Sequence, residues 1–318
     1  ECNVILVSLD AISAESVADD LPLLAKRAAQ EGVVFTHAYA PAKRQLEGHA
    51  AILTGAYPWD IGLMREARTR IPQDVPLISE ILSSYGYATA GFVEGSLVDT
   101  PWGFSRGFLD WNHPAPRKAQ SIESFFVAAS EWIRARASAD APYFLYLNPY
   151  DIYSFFDADG TQDGFTYADL SAAAHGDMVA LTRAREGYAR KLGVLDSHLD
   201  TTLAAAQTGG NGRKTVVVIV GSYGEYLTRA PQEEIGSMQF PKSRALNVPL
   251  IFFVPDIRAR ELVPTVESKN VASTILEIVG GDSGAVSGTS LASYVRTGAG
   301  GNQLVRSYVA NAADEKLI

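Results

Sequence analysis

One cysteine, Cys2, is all the thiol this chain has, so no disulfide can form within it. A basic surplus is also missing. The 27 Lys and Arg against 36 Asp and Glu leave a net charge of −9, which argues against non-specific attraction to nucleic acid or to an anionic membrane surface. Long apolar runs are absent: stretches such as Thr215–Val220 and Val248–Val254 are far too short to cross a bilayer. No leader-like segment is visible, but the chain begins almost inside its first strand, so this says little about compartment. Histidine is scarce, being confined to His37, His49, His113, His175 and His198. The run Val220–Gly224 half-resembles a serine nucleophile elbow. That arrangement needs a histidine after Ser222, and none follows His198, so the serine-hydrolase reading fails.

What the chain does have is apolar side chains, 47% of the 318 residues, enough for one large core. Asn3–Leu9 is a continuous apolar, β-branched run, the pattern of a strand buried on both faces of a parallel sheet, and it ends at Asp10. The pattern predicts further strands at Val33–Ala40, Ala88–Val93, Pro142–Leu147, Thr215–Val220 and Val248–Val254. Helices are expected over Leu21–Gln30, from Glu47 and Gly48 through the apolar stripe ending at Leu53, Asp74–Tyr85, Ser121–Ala137, Asp177–Ala206 and Val271–Val279. Asp74 is the expected N-cap of its helix, and Glu94–Pro116 reads as loop. Strands alternating with helices imply βαβ units: an α/β chain, a three-layer α/β/α sandwich around a mostly parallel, doubly wound sheet. Residues 1–291 form the expected main domain, and 292–318 the start of a smaller C-terminal subdomain, truncated or lost.

The stretch Lys43–Pro58, KRQLEGHAAILTGAYP, is a basic turn, a short helix and a stop, with Gly55 just past the helix end and Pro58 beyond it. The start of such a helix, with free N–H groups and the positive end of its dipole, is a natural anion site. This stretch resembles the sulfatase family of the alkaline-phosphatase-like superfamily, where the segment reads C/S-x-P-S-R-x-x-x-L-T-G and its first residue becomes the nucleophile. Other pieces are similar in wording and spacing: Gly32–Tyr39, the run Asp74–Val93, Arg106-Gly107-Phe108, Tyr188–Leu203, Val248–Ile251 and Gly288–Leu291.

Aligned on Leu53-Thr54-Gly55, the nucleophile position is Gln45, and the Pro, Ser and Arg positions are Glu47, Gly48 and His49. The resemblance implies one divalent cation held by strand-end side chains, and of that set only Asp10 survives as a family ligand. The late strand, usually ending S-D-H-G-E, puts Ser222 and Tyr223 at its metal positions. The mid-chain positions fall on Asn148, Asp151 and Tyr153. Gln45 is neither ionisable nor a nucleophile, and one carboxylate with a hydroxyl and a phenol is a poor cation site. The expectation is therefore a non-catalytic domain acting as a ligand- or partner-binding module, with no cofactor. The alternative is a metal-dependent sulfate or phosphate ester hydrolase or transferase that recruits Asp151, Glu47 or Glu225 to hold Ca²⁺ or another divalent ion.

At the old pocket, Asp10 is either a ligand or a strand-end cap. Lys43, Arg44 and His49 either hold a weakly bound anion, more tightly once His49 gains a proton, or form a solvated turn. Trp59, Trp102 and Trp111, with Tyr150, Tyr153, Phe155 and Phe156, either line a pocket mouth or pack under loops. A protein partner is open, and an extracytoplasmic, for instance periplasmic, location is implied by family analogy alone.

Overall fold

The computed structural model describes residues 2–63, 70–94, 97–113, 121–149, 169, 172–173, 175–208, 211–224, 243–310 and 315–317. Tyr150, Asp151, Tyr153, Phe155, Phe156 and Glu225, singled out above, lie outside these residues.

Eight strands form the main sheet in the order β5-β4-β6-β1-β7-β8-β2-β9. These are β1 (Asn3–Leu9), β2 (Val33–Phe35), β4 (Ala88–Val93), β5 (Asp110–Asn112), β6 (Tyr143–Asn148), β7 (Thr215–Gly221), β8 (Leu250–Phe253) and β9 (Arg260–Leu262). β5, β4, β6, β1 and β7 run parallel, while β8 runs against both β7 and β2. The sheet is thus mostly parallel, as the alternation of strands and helices implies.

All seven residues of β1 are buried, because helices cover both faces. Ile5, Val7 and Leu9 face one apolar cluster and Val4 and Leu6 the other, as the two-residue period of a strand demands. On the first face lie α1 (Ala14–Asp20), α2 (Pro22–Glu31), α5 (Ile122–Arg134) and the long α6 (Met178–Thr208). On the second lie α3 (Gln45–Thr54), α4 (Ile78–Ser84), α8 (Val271–Ile278) and α9 (Ala292–Thr297). A single-turn α7 (Ser243–Leu246) precedes β8.

Several boundaries differ from the sequence expectation. α1 is an additional helix, begun by Ser13, whose hydroxyl accepts from the Ser16 N–H. The extended piece 33–40 is two strands, since a turn separates β2 from β3 (Ala38–Tyr39), which pairs with β10 (Val266–Glu267) instead. α4 starts at Ile78 and not near Asp74. There the Glu80 carboxylate accepts the Leu77 N–H and caps the helix from inside its first turn. The loop after Val93 contains β5, whose Trp111 packs against Gly91 of β4 where a Cβ would stand 2.4 Å from the ring.

α2 has no cap of its own, because Leu21 precedes it. Asp196 of α6 supplies one from across the layer, accepting from Leu23 N at 2.7 Å and Leu24 N at 2.8 Å. Asp196→Ala should therefore destabilise the fold by about 1–2 kcal/mol, the range for losing a helix cap. A denaturant midpoint unchanged from wild type would show that water replaces this carboxylate.

Past α8 the chain stays packed against the second apolar cluster and against the separate β3-β10 pair. Ala292 and Val295 of α9 are buried in the second cluster. Farther on, Gln303 N bonds Thr265 O, Arg306 N bonds the Glu267 carboxylate, and Ser307 Oγ donates to Ala40 O. A separate two-stranded hairpin follows, β11 (Tyr308–Ala310) with β12 (Glu315–Leu317).

Candidate functional site

Three neighbouring strands bring the site together. β6, β1 and β7 end side by side in Asn148, Leu9 and Gly221, so Asp10, Asn148 and Ser222 share the carboxyl edge of the sheet, where open α/β sheets place ligands. α3 meets this edge with its first turn. The helix begins at Gln45, two residues earlier than Glu47, and Arg44 is an N-cap whose side chain makes no cap bond. It ends at Gly55 with φ of 72°, the left-handed conformation that glycine supplies at a helix C-terminus.

Asp10 is the centre of this arrangement and is only 1% exposed. Its Oδ2 accepts from Gln45 Nε2 at 2.9 Å and from Asn148 Nδ2 at 3.1 Å. Its Oδ1 accepts from His49 Nε2 at 2.7 Å and from the Ser222 hydroxyl. Burial would raise the Asp10 carboxyl, but the charge of His49 and hydrogen bonds from His49, Ser222 and Gln45 outweigh it and hold the group below its ordinary value. The donors have supports of their own. Asn148 Nδ2 also donates to Ser8 O at 3.1 Å, which fixes the orientation of its amide. The second ring nitrogen of His49, Nδ1, meets the Tyr146 hydroxyl. Burial, and then the negative charge of Asp10, keeps that hydroxyl protonated far above its usual range.

Asp10 is therefore a side-chain hub and not a cap for the turn after β1. The backbone at that turn is unusual: Ala11 has φ of 56°, and its carbonyl accepts from the Tyr188 hydroxyl on α6 at 2.7 Å.

The cations expected at the helix start are engaged elsewhere. His49 is fully buried in the hub, and Arg44 pairs with Glu47 at 3.0 Å. Lys43 stands half-buried ahead of the helix. Arg44, like Lys43, remains partly exposed ahead of the helix. Glu47 is 4% exposed, and burial raises its carboxyl although Arg44 pulls the other way. Among the described residues its Oε2 has no partner. The Tyr223 ring is buried with the apolar cluster on the α6 side. Trp59 stacks on Tyr57 at 4.5 Å between centroids and Trp111 packs on Phe108, so packing accounts for these two.

Tyr146 is the hub residue that sequence reasoning passed over, because it sits inside the apolar run of β6. One signal was available: it lies two residues before Asn148 and so shares a strand face with it.

Among the described residues, no group of three or more His, Cys, Asp and Glu is placed to hold a metal ion. No helix is long and apolar enough to cross a membrane.

Comparison with solved structures finds this fold repeatedly. A 2-O GAG sulfatase superposes with a TM-score of 0.75 at 19% identity, covering 97% of this chain and 77% of that one. A phosphonate monoester hydrolase from Silicibacter pomeroyi gives 0.71 at 18%, covering 97% and 79%. A member of the alkaline phosphatase superfamily from Vibrio parahaemolyticus gives 0.65 at 17%, covering 100% and 74%. Comparison with curated proteins finds no significant match. At these identities the structural likeness speaks for the fold alone. The sequence itself matches the Sulfatase family model over residues 3–281, and the chain belongs to the sulfatase family.

Proposed function

We propose that this chain is a non-hydrolytic member of its family, a sulfatase-like domain used as a ligand- or partner-binding module. The observation that carries the reading is Gln45. At the position where the resemblance places the nucleophile stands an amide that is 6% exposed and donates its N–H to Asp10. An amide in that role has no ionisable oxygen or sulfur to attack a sulfur or phosphorus centre, and its hydrogen bond turns the N–H end toward the carboxylate. The other substitutions agree. Ser222 donates to the same carboxylate, and Tyr223 lies in the core. Nothing in this set splits an ester, whereas the packed two-faced sheet is kept whole. An extracytoplasmic location belongs to the same proposal and rests on family analogy.

The test is turnover of 4-nitrophenyl sulfate and 4-nitrophenyl phosphate by the purified chain, with and without added Ca²⁺, Mg²⁺, Mn²⁺ or Zn²⁺. The expected rate is that of buffer alone for both esters. Saturable turnover of either ester that survives repurification would overturn the reading and favour the alternative hydrolase with ligands drawn from Asp151, Glu47 or Glu225.

A further inference from the structure

The family resemblance calls for a divalent cation at Asp10, and the residues around Asp10 do not fit one. We infer that side-chain hydrogen-bond donors fill the cation's place in this chain, so that Asp10 is the hub of a metal-free lock between α3 and the ends of β6, β1 and β7. The inference deepens the non-hydrolytic reading and rests on it.

A carboxylate offers about four lone-pair positions. In Asp10 each is met by a protein donor: His49 and Ser222 at Oδ1, Gln45 and Asn148 at Oδ2. All four present N–H or O–H to the carboxylate, where a cation would need lone pairs. Asn148 cannot simply turn its amide oxygen inward, because the same Nδ2 also holds Ser8 O. A hard divalent ion takes about six or more oxygens, and zinc about four ligands. At the hub the described residues offer one carboxylate that is already saturated; Glu47, the other buried carboxylate of α3, is paired with Arg44, and no group of three or more His, Cys, Asp and Glu forms among the described residues. Asn148 Oδ1 is buried without a partner, which makes one neutral acceptor, and a single water would satisfy it.

Access is closed as well. His49, Asn148 and Ser222 are fully buried. A Cβ on Gly48 would stand 2.3 Å from Ser222 O, so α3 rests directly on the end of β7. The lock thus joins one helix to three strand ends through a single buried carboxylate.

The experiment treats the intact chain with EDTA, then adds Ca²⁺, Mg²⁺, Mn²⁺ or Zn²⁺, reading metal content and thermal midpoint for wild type and Asp10→Asn. Wild type should hold no stoichiometric metal at Asp10, and any midpoint rise should be the same size in Asp10→Asn. A stoichiometric ion whose midpoint rise disappears in Asp10→Asn would overturn the lock. An ion lost in Asp151→Asn or Glu225→Gln but kept in Asp10→Asn would place a metal elsewhere and support a metal-free hub. Should Asp10→Asn not fold, terbium decides: luminescence sensitised in wild type and lost in Tyr146→Phe would put an ion beside the hub and overturn the inference, and no sensitisation supports it. Ester turnover is followed in the same samples. Turnover without metal at Asp10 sinks the non-hydrolytic reading and spares the lock, whereas metal at Asp10 without turnover does the reverse.

Discussion

Asp10→Ala should destabilise this domain by about 3–5 kcal/mol, the scale expected when two buried donors at about 1–3 kcal/mol each lose their acceptor. The four donors around Asp10 do not all lose their only acceptor. Asn148 keeps Ser8 O, and Ser222 Oγ lies 3.3 Å from Leu9 O and can donate there. Gln45 and His49 are left with N–H groups turned into a gap that offers no acceptor, each worth about 1–3 kcal/mol when unsatisfied. The loss is thus set by two donors and one vanished charge, well short of a sum over four. Because the folded state holds the Asp10 carboxyl below its ordinary value, the ionised hub adds stability above the unfolded value of about 3.9, and this is lost as pH falls through the lower folded value. The gap between wild type and Asp10→Ala should therefore be full at neutral pH and narrow below about pH 4. Urea unfolding followed by circular dichroism at several pH values measures it. A variant within experimental error of wild type at pH 7 would mean that the hub contributes nothing to the fold.

The sheet was legible because its signals are local and redundant. β1, β6 and β7 are short, continuous apolar runs, and their limits in the structure fall within a residue or so of those runs. Their strand-end polar residues, Asp10, Asn148 and Ser222, were visible for the same reason: each follows an apolar run directly. α1 and β5 were missed because each is short and only partly buried, leaving no apolar periodicity to read. α4 was begun too early because Asp74 looks like a cap, whereas the cap is the Glu80 side chain reaching back.

The chemistry of the pocket was readable only by subtraction. The family resemblance puts Gln45 where a nucleophile would stand, but nothing in the sequence tells that its amide turns toward Asp10. It also makes His49 look like a surface cation at a helix start, because a lone Lys-Arg-x-x-x-x-His run carries no sign that the helix rests on the sheet. Burial of His49 is decided by distant residues, Tyr146 on β6 and Asp10 on β1, whose pairing with it is a property of the assembled sheet.

Gly48 is where that assembly can be tested most sharply, because two physical effects oppose each other there. Gly48 lies within α3 and, unlike Gly55, does not have a positive φ. Helix propensity alone favours Gly48→Ala by about 1 kcal/mol. Packing opposes it. The added Cβ would meet Ser222 O at 2.3 Å and Ser222 C at 2.9 Å, both backbone atoms that no rotamer change can move. α3 would have to back away from the end of β7, carrying Gln45 and His49 on the same helix away from Asp10. Overpacking of this kind typically costs about 1–3 kcal/mol, and losing hub bonds adds to it, so packing should win and leave a net loss of about 2 kcal/mol. The loss should be smaller in an Asp10→Ala background, since the hub bonds that Gly48→Ala disturbs are already gone, and a double-mutant cycle measures the difference. A Gly48→Ala variant more stable than wild type would show that α3 does not rest on Ser222. The pocket over Asp10 would then have room for a side chain or a ligand.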